Sequence, residues 1–432
     1  MRESRVVDLR QRCFDDGCAE NVSVLAAVMT EARTRRREVH VASLDVAKAF
    51  DSVSHGAVEA ALIRLGVPDG FRKYISRLYA CSSTTFEVRG ERSELYKVGR
   101  GVRQGDPLSP MLFCLVVDTV LGGMPPDVGF TLGDSRISCL AYADDILLFA
   151  TTKWGLQTAL SAVEDKAREQ GLRFNPAKCS VLSMVPAGKQ KKVKVITTPS
   201  FTLRNGAYLP QINTAAEWRY LGVRFKPAGP KKVDGDLTDL LDNLTRAPMK
   251  PQQRLVALRG FLLPRVFHPL VLGRVTLGKL RALDRQTRAA VRRWLRLPPD
   301  TASGFFHAST RDGGLGIPSL ATTVPGLMLD RLERLGQSSS PAVRAAADSQ
   351  WVSNRIRWAC SALTVGGRDC LNTTYRRKQW WAQRLHSSVD GWELRECPRT
   401  DLSSWWVSAG CFGIPGRDFV QHVHVWANSL PT

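Results

Sequence analysis

The sequence predicts an α+β domain followed by an all-helical, strongly basic region, and three features carry that expectation. Between residues 39 and 225, short apolar runs of strand length alternate with stretches of helical periodicity. From about residue 237 the strand-like runs stop and only helical periodicity remains. Residues 246–300 hold 13 Lys or Arg against two acids, Asp284 and Asp300.

Taken in order, VHVASLDVA (39–47) has the composition of a buried strand. A helix is expected over about 55–66, with Val58, Ala61, Leu62 and Leu65 on one face and Gly66 and Pro68 as its stop. Another runs from Gly70 towards Ala80. DPLSPMLFCLVVDTVLGG (106–123) opens with Asp106 as a cap and Pro107 at the first helical position. It is apolar on nearly every side, which predicts a central, buried helix. RISCLAYADDILLFA (136–150) reads as a hairpin with two acids at its turn. A helix over 155–170 ends at Gly171, and short strands follow near 179–184 and 218–225. The Lys-rich stretch 186–199 and residues 226–236 read as loops.

In the helical region, 278–297 turns Leu280, Leu283, Val291, Trp294 and Leu297 towards a core. Arg281, Arg285, Arg288, Arg292 and Arg296 form a stripe on another face, at spacings of three and four. Such a stripe either tracks a phosphate backbone or is a solvated face. Further on come a small-residue stretch at 337–349 and Trp351, Trp358, Trp380, Trp381, Trp392, Trp405, Trp406 and Trp426. These are expected as core, with base stacking as their other use.

Lys plus Arg number 61 against 40 Asp plus Glu, a net charge of +21 that points to a polyanionic partner, either nucleic acid or an acidic membrane surface. No uninterrupted stretch approaches the ~20 apolar residues of a membrane-spanning helix. The opening MRESRVVDLRQR lacks the apolar centre of a signal peptide, so an intracellular protein is expected. The cysteines are scattered and form no CxxC pair, in keeping with a reducing compartment. Cys360, Cys370, His386 and Cys397, spaced ten, sixteen and eleven apart, match no common zinc pattern.

Two places put carboxylates in apolar company. Asp45 ends the strand at 39–47, close to Phe50 and Asp51, and Asp144 and Asp145 are adjacent at the hairpin turn. Neighbouring carboxylates repel and are costly to desolvate unless a cation neutralises them. A turn capped by Asp is the plainer reading of the pair taken alone. Nucleotidyl transfer gives carboxylates a use, because it employs two divalent ions about 3.5–4 Å apart, held by hard oxygen ligands.

Five segments stand in order: LDVAKAFDSV (44–53), RGVRQGDPLSPMLF (100–113), AYADDILLF (141–149), GLRFNPAKCSVL (171–182) and EWRYLGV (217–223). Together they resemble the palm of reverse transcriptases. The YADD form and RQGDPLSP look like the non-LTR retrotransposon and group II intron branch. QRCFDDGCAEN (11–21) and GCFGIPGRDFVQHVHVWANSLPT (410–432) are most similar to elements that insert into ribosomal RNA genes.

The resemblance implies a palm with partial fingers over 1–236, a helical basic thumb over 237–330 and a mainly helical, Trp-rich linker region over 331–432. It implies that Asp45, Asp144 and Asp145 bind two Mg²⁺ ions, with Mn²⁺ as the alternative. Phe50 matches the gate against a ribose 2′-hydroxyl, and Gln104 and Gly105 match the segment at the templating base pair. Lys178 matches the general acid for the leaving group, with an ordinary exposed lysine as the other reading. Tyr220, Leu221 and Gly222 match the primer grip, and the arginine stripe would follow the template–primer duplex. The implied partners are an RNA template, a DNA primer or target and deoxynucleoside triphosphates, with no membrane and a nuclear location. The family's finger strands, Cys/His knuckle and endonuclease are not in this sequence, so a fragment is expected. Arg2, Arg5, Arg10 and Arg12 are then the basic residues at hand for the triphosphate.

The implied activity is RNA-directed DNA polymerisation, used in the family to copy RNA from a nicked chromosomal 3′-hydroxyl. A group II intron maturase shares the palm and is the second enzyme reading. The third is a nucleic-acid-binding remnant without catalysis, for which the charge alone would suffice.

Overall fold

The computed structural model describes residues 8–13, 16–188, 191–235, 237–365, 369–395, 407 and 413–427. Contacts divide the chain into two units, residues 1–229 with 335–352 and residues 230–334 with 353–432. This differs from three consecutive segments bounded at 236 and 330, because residues 335–352 pack with the first unit.

Five antiparallel strands form the sheet of the first unit: β1 (Val39–Leu44), β2 (Cys139–Tyr142), β3 (Asp145–Ala150), β4 (Ser180–Ala187) and β5 (Lys192–Ile196), in the order β5-β4-β1-β3-β2. The central β1 is buried along nearly its whole length, as its VHVASL sequence predicts. It pairs with β3 from His40 opposite Ala150 to Leu44 opposite Ile146. The expected loop at 186–199 is a correction: β4 runs on to Ala187 and Lys192–Ile196 returns beside it. KVKVI alternates charged and apolar residues, a strand pattern that its lysines obscured.

Helix α1 (Gly17–Thr34) leaves no amphipathic period in the sequence, because Val22 to Met29 are all buried. Helices α2 (His55–Arg64), α3 (Asp69–Ala80), α4 (Ser109–Leu121) and α5 (Lys153–Glu169) lie where expected. The start of α4 is corrected by two residues, from Pro107 to Ser109. Asp106 accepts from the Leu108 N–H at 2.8 Å in a preceding turn, and the helix begins at Ser109. That start keeps Pro110 in the first turn, where a missing N–H costs no helical bond.

The segment that returns to this unit contributes the helix Pro341–Ala347, which lies on α1 and on the hairpin Phe130–Ile137. Val343 and Ala346 are buried there. The Ser135 hydroxyl donates to the Pro341 carbonyl at 3.2 Å, and the Arg12 guanidinium donates to Ser338 Oγ at 3.3 Å.

Among its described residues the second unit is mainly helical, with one short strand pair, Thr364–Val365 and Asp369–Cys370. Its helix α6 (Leu277–Leu295) starts on the Thr276 hydroxyl and ends at Arg296, held in a left-handed conformation at φ 53°. The buried Asp284 carboxylate accepts from Ser319 Oγ and from the Leu320 and Ala321 N–H groups, and so caps the helix Leu320–Leu335. The half-buried Arg355 donates to the Val271 and Gly273 carbonyls at the other end of a helix. Burial lowers its guanidinium pKa to about 10.

The run Pro251–Leu272, 22 residues with mean hydropathy 1.5, is long and apolar enough to cross a membrane by length and composition. Arg254, Arg259 and Arg265 interrupt it, and Leu255, Leu258, Leu263 and Leu270 are buried inside the unit. Trp381 is core, Trp392 is exposed, and Trp405 and Trp406 lie outside the described residues.

Candidate active site

The register of β1 against β3 puts the end of β1 beside the turn between β2 and β3. Tyr142 pairs with Asp145, so Ala143 and Asp144 are a two-residue loop. Ala143 has φ 53°, a conformation that costs an L-residue roughly 1–2 kcal/mol. Gln11 holds it there. Its side-chain oxygen accepts from the Ala143 N–H at 2.9 Å and its amide donates to the Ala143 carbonyl at 3.3 Å. Nothing in the sequence flags this contact across 132 positions.

Asp45 follows β1 directly. Its carbonyl accepts from the Asn175 N–H at 2.9 Å and its N–H donates to Cys179 Sγ at 3.3 Å. Asp144 and Asp45 both act on Asp145, whose carboxyl is pushed up to about 6 by partial burial and then by those two charges. Asp145 itself is exposed, and the like charges of Asp144 and Asp45 lie close enough to raise its carboxyl. The three carboxylates thus share one end of the sheet. Among the described residues no three His, Cys, Asp or Glu side chains close into a metal cage. An open anionic set that raises its own protonation suits a divalent cation, and the donor chemistry fits.

Lys178 is exposed, with Nζ 3.9 Å from Asp45, so it stands at the edge of this set. Phe50 lies in the short helix Ala49–Ser52 and stacks on Phe113, ring centroids 5.0 Å apart and 18° from parallel. Gln104 donates to Asp51 at 3.0 Å. Gly105 adopts φ 86° with open space where a Cβ would stand, so it is the backbone conformation, rather than a close neighbour, that requires glycine. Close approach occurs instead at Gly101, where a Cβ would meet the Asp51 backbone at 3.0 Å.

The strands β6 (Trp218–Tyr220) and β7 (Val223–Lys226) pair through Leu221 and Gly222, both at positive φ, as a two-residue type I′ loop requires. Tyr220 is buried, and Asn21 joins it to the site by donating to the Tyr220 hydroxyl at 3.3 Å and to the Ala141 carbonyl at 3.1 Å. Burial, then the charge of Asp145, pushes the tyrosine pKa well up.

The basic candidates divide. Arg12 is buried in an ion pair with Glu20, and Arg10 is held by Asp8, so neither guanidinium is open for a triphosphate. Arg2 and Arg5 lie outside the described residues. On α6, Arg281, Arg285 and Arg296 are exposed. The stripe is corrected at Arg288 and Arg292, which are half-buried. Arg288 contacts His307 Nε2 at 3.0 Å, and Arg292 donates to the Thr301 carbonyl at 3.0 Å and lies over the Phe306 ring. Of the possible zinc ligands, the His386 ring contacts the Asp312 carbonyl and Cys397 lies outside the described residues.

A carboxylate set on a strand end and an adjoining hairpin turn, with an aromatic ring and the buried Tyr220 beside it, suits nucleotidyl transfer. A family model described as reverse transcriptase (RNA-dependent DNA polymerase) matches residues 5–225. The chain belongs to the reverse transcriptase family, whose members generally use divalent metal ions.

It is similar over its whole length, at 41% identity, to the retrovirus-related Pol polyprotein from type-1 retrotransposable element R2 of Nasonia vitripennis, of which it covers 41%. The corresponding polyprotein from type-2 element R2DM of Drosophila melanogaster is 37% identical over 98% of this chain and 40% of its own length. That from the type-1 element R2 of Bradysia coprophila is 34% identical over 96% and 48%. The chain therefore spans less than half of each of these relatives. Among solved structures, telomerase from Candida albicans in complex with a fragment of telomeric RNA matches with a TM-score of 0.45 and 12% identity, over 92% of this chain and 55% of that one.

Proposed function

We propose that this chain is the polymerase core of a non-LTR retrotransposon protein, extending a DNA 3′-hydroxyl on an RNA template. The observation that carries the reading is the meeting of Asp45, Asp144 and Asp145 at one end of the β1–β3–β2 sheet. These carboxylates would hold two Mg²⁺ ions, with Mn²⁺ able to replace them. When bound, the ions supply activation of the attacking hydroxyl and neutralisation of the triphosphate.

The protein's own part is positioning. Gln11 fixes the strained Ala143 so that Asp144 projects from the turn. Phe50, backed by Phe113, presents a ring face that would exclude a 2′-hydroxyl. Lys178 stands where it could protonate a departing pyrophosphate. Tyr220, Leu221 and Gly222 would support the primer end, and Gln104 and Gly105 the templating pair. Deoxynucleoside triphosphates are then the substrates, a nicked chromosomal strand the natural primer and the nucleus the place of action. The exposed arginines of α6 would contact polynucleotide phosphates.

Primer extension on poly(rA) with oligo(dT) tests this. Asp144→Asn keeps the side-chain shape and removes the charge, so extension should fall by ~10²-fold or more while the fold and RNA binding persist. Appreciable extension by the folded variant would refute the metal assignment.

A further inference from the structure

Beside α6 the second unit contains a cavity of about 480 Å³, lined in part by Arg281, Arg285, Arg288, Trp380, Trp381 and Arg384. Its size falls within the roughly 300–1,000 Å³ of small-ligand sites. Among the described residues four guanidinium groups border it, and the one carboxylate on its wall, Asp284, is already taken up by Ser319 and the N–H groups of Leu320 and Ala321. Arg281 and Arg285 have no acidic partner among the described residues. Like charges gathered without a counter-ion are unfavourable, so the wall is electrostatically complementary to an anion.

The second element of the wall is aromatic. Trp380 meets Trp381 edge-on, with ring centroids 4.5 Å apart, and the Arg384 guanidinium lies over the Trp380 ring at 5.0 Å. A ring face that accepts one flat group can accept another, so a nucleobase would stack there by displacing the Arg384 guanidinium. Phosphate donors beside a stacking face select one nucleotide with its base turned out. A single strand offers that shape, whereas a duplex keeps its bases stacked inside and presents only phosphates.

We propose that this cavity binds one nucleotide of a single-stranded nucleic acid, with the phosphate on Arg281 and Arg285 and the base against Trp380. The proposal rests on the polymerase reading only for the presence of nucleic acid, and its test is a binding measurement without metal or nucleotide. A failure of catalysis therefore appears in the extension assay and a failure of the pocket in this one.

The test compares the affinity of the full chain for a short labelled oligouridine and for a duplex of equal length. Arg281→Gln with Arg285→Gln should weaken single-strand binding by about tenfold or more, since each loses a charge-assisted contact. It should also flatten log affinity against log salt by ~1.4, or ~0.7 for each phosphate lost. The duplex should lose less. Arg265→Gln with Arg274→Gln removes the same charge from exposed positions of the same unit that do not line the cavity, and should have the smaller effect. A 2-aminopurine placed in the strand should be quenched on binding, less so with Trp380→Leu, and Trp380→Phe should restore part of the quenching. Equal losses from the two double variants, or equal losses for single strand and duplex, would overturn the pocket in favour of a diffuse basic surface.

Discussion

Phe50 and Arg292 show what a single side chain can be asked to do. Phe50 rests on Phe113, so truncating it removes a wall that has firm backing. Phe50→Val should raise ribonucleotide relative to deoxynucleotide incorporation by roughly tenfold or more, the scale on which apolar pockets discriminate by bulk. Single-nucleotide incorporation with both sugars measures it, and unchanged selectivity would remove Phe50 from the gate. Arg292 belongs to a stripe that the sequence reads as uniform, yet its guanidinium reaches Thr301 and Phe306. Arg292→Gln should therefore cost about 1–2 kcal/mol in denaturant unfolding, whereas the exposed Arg281→Gln should cost less than ~0.5 kcal/mol. Helical spacing put both residues on one face. It could not show that 301–307 covers only part of that face, because the partners are set by tertiary packing. The three aspartates were legible for the opposite reason: charge inside an apolar run is a contradiction visible locally. Gln11, which holds the turn carrying Asp144, was not legible, since a glutamine amide has no local signature.

At the scale of elements, the hairpin β6–β7 carries its own strain. Leu221 occupies a left-handed position at φ 44°, where Asn or Gly is preferred. Leu221→Asn should raise stability by ~0.5–1 kcal/mol, read as a higher melting temperature. If the leucine side chain supports the primer, the same change should slow extension, most of all on short primers. A more stable protein with undiminished extension would show that the strain serves nothing at this site. Strands and helices with a clear period were found from sequence: β1, the β2–β3 hairpin and α2 to α5 all lie within a few residues of expectation. The misses have physical causes. Helix α1 is buried all round, and β5 hides its alternation among lysines. The start of α4 was displaced because Pro107 and Pro110 both satisfy the rule for a first turn.

For the whole molecule, the excess of 61 basic over 40 acidic residues gave the class of partner before any motif did. Composition could not show that the chain leaves the first unit after residue 229, returns at 335 and leaves again after 352. A chain ending at residue 229 would lack the helix Pro341–Ala347, and with it the cover over α1 and the hairpin Phe130–Ile137. Such a chain should melt at a lower temperature than the full protein's first transition and bind a hydrophobic dye. Adding the 335–352 segment as a separate peptide should reverse part of both effects. Unchanged melting would show that this helix contributes no stability to the first unit. The same connectivity imposes a timetable on synthesis. At ~5–20 residues per second, the roughly 120 residues from 229 to 352 take about 6–25 s to be made. Throughout that interval the apolar side of α1 that Val343 and Ala346 will cover waits bare on the nascent chain, so translation speed across this stretch sets how long the half-built protein is exposed to misassembly.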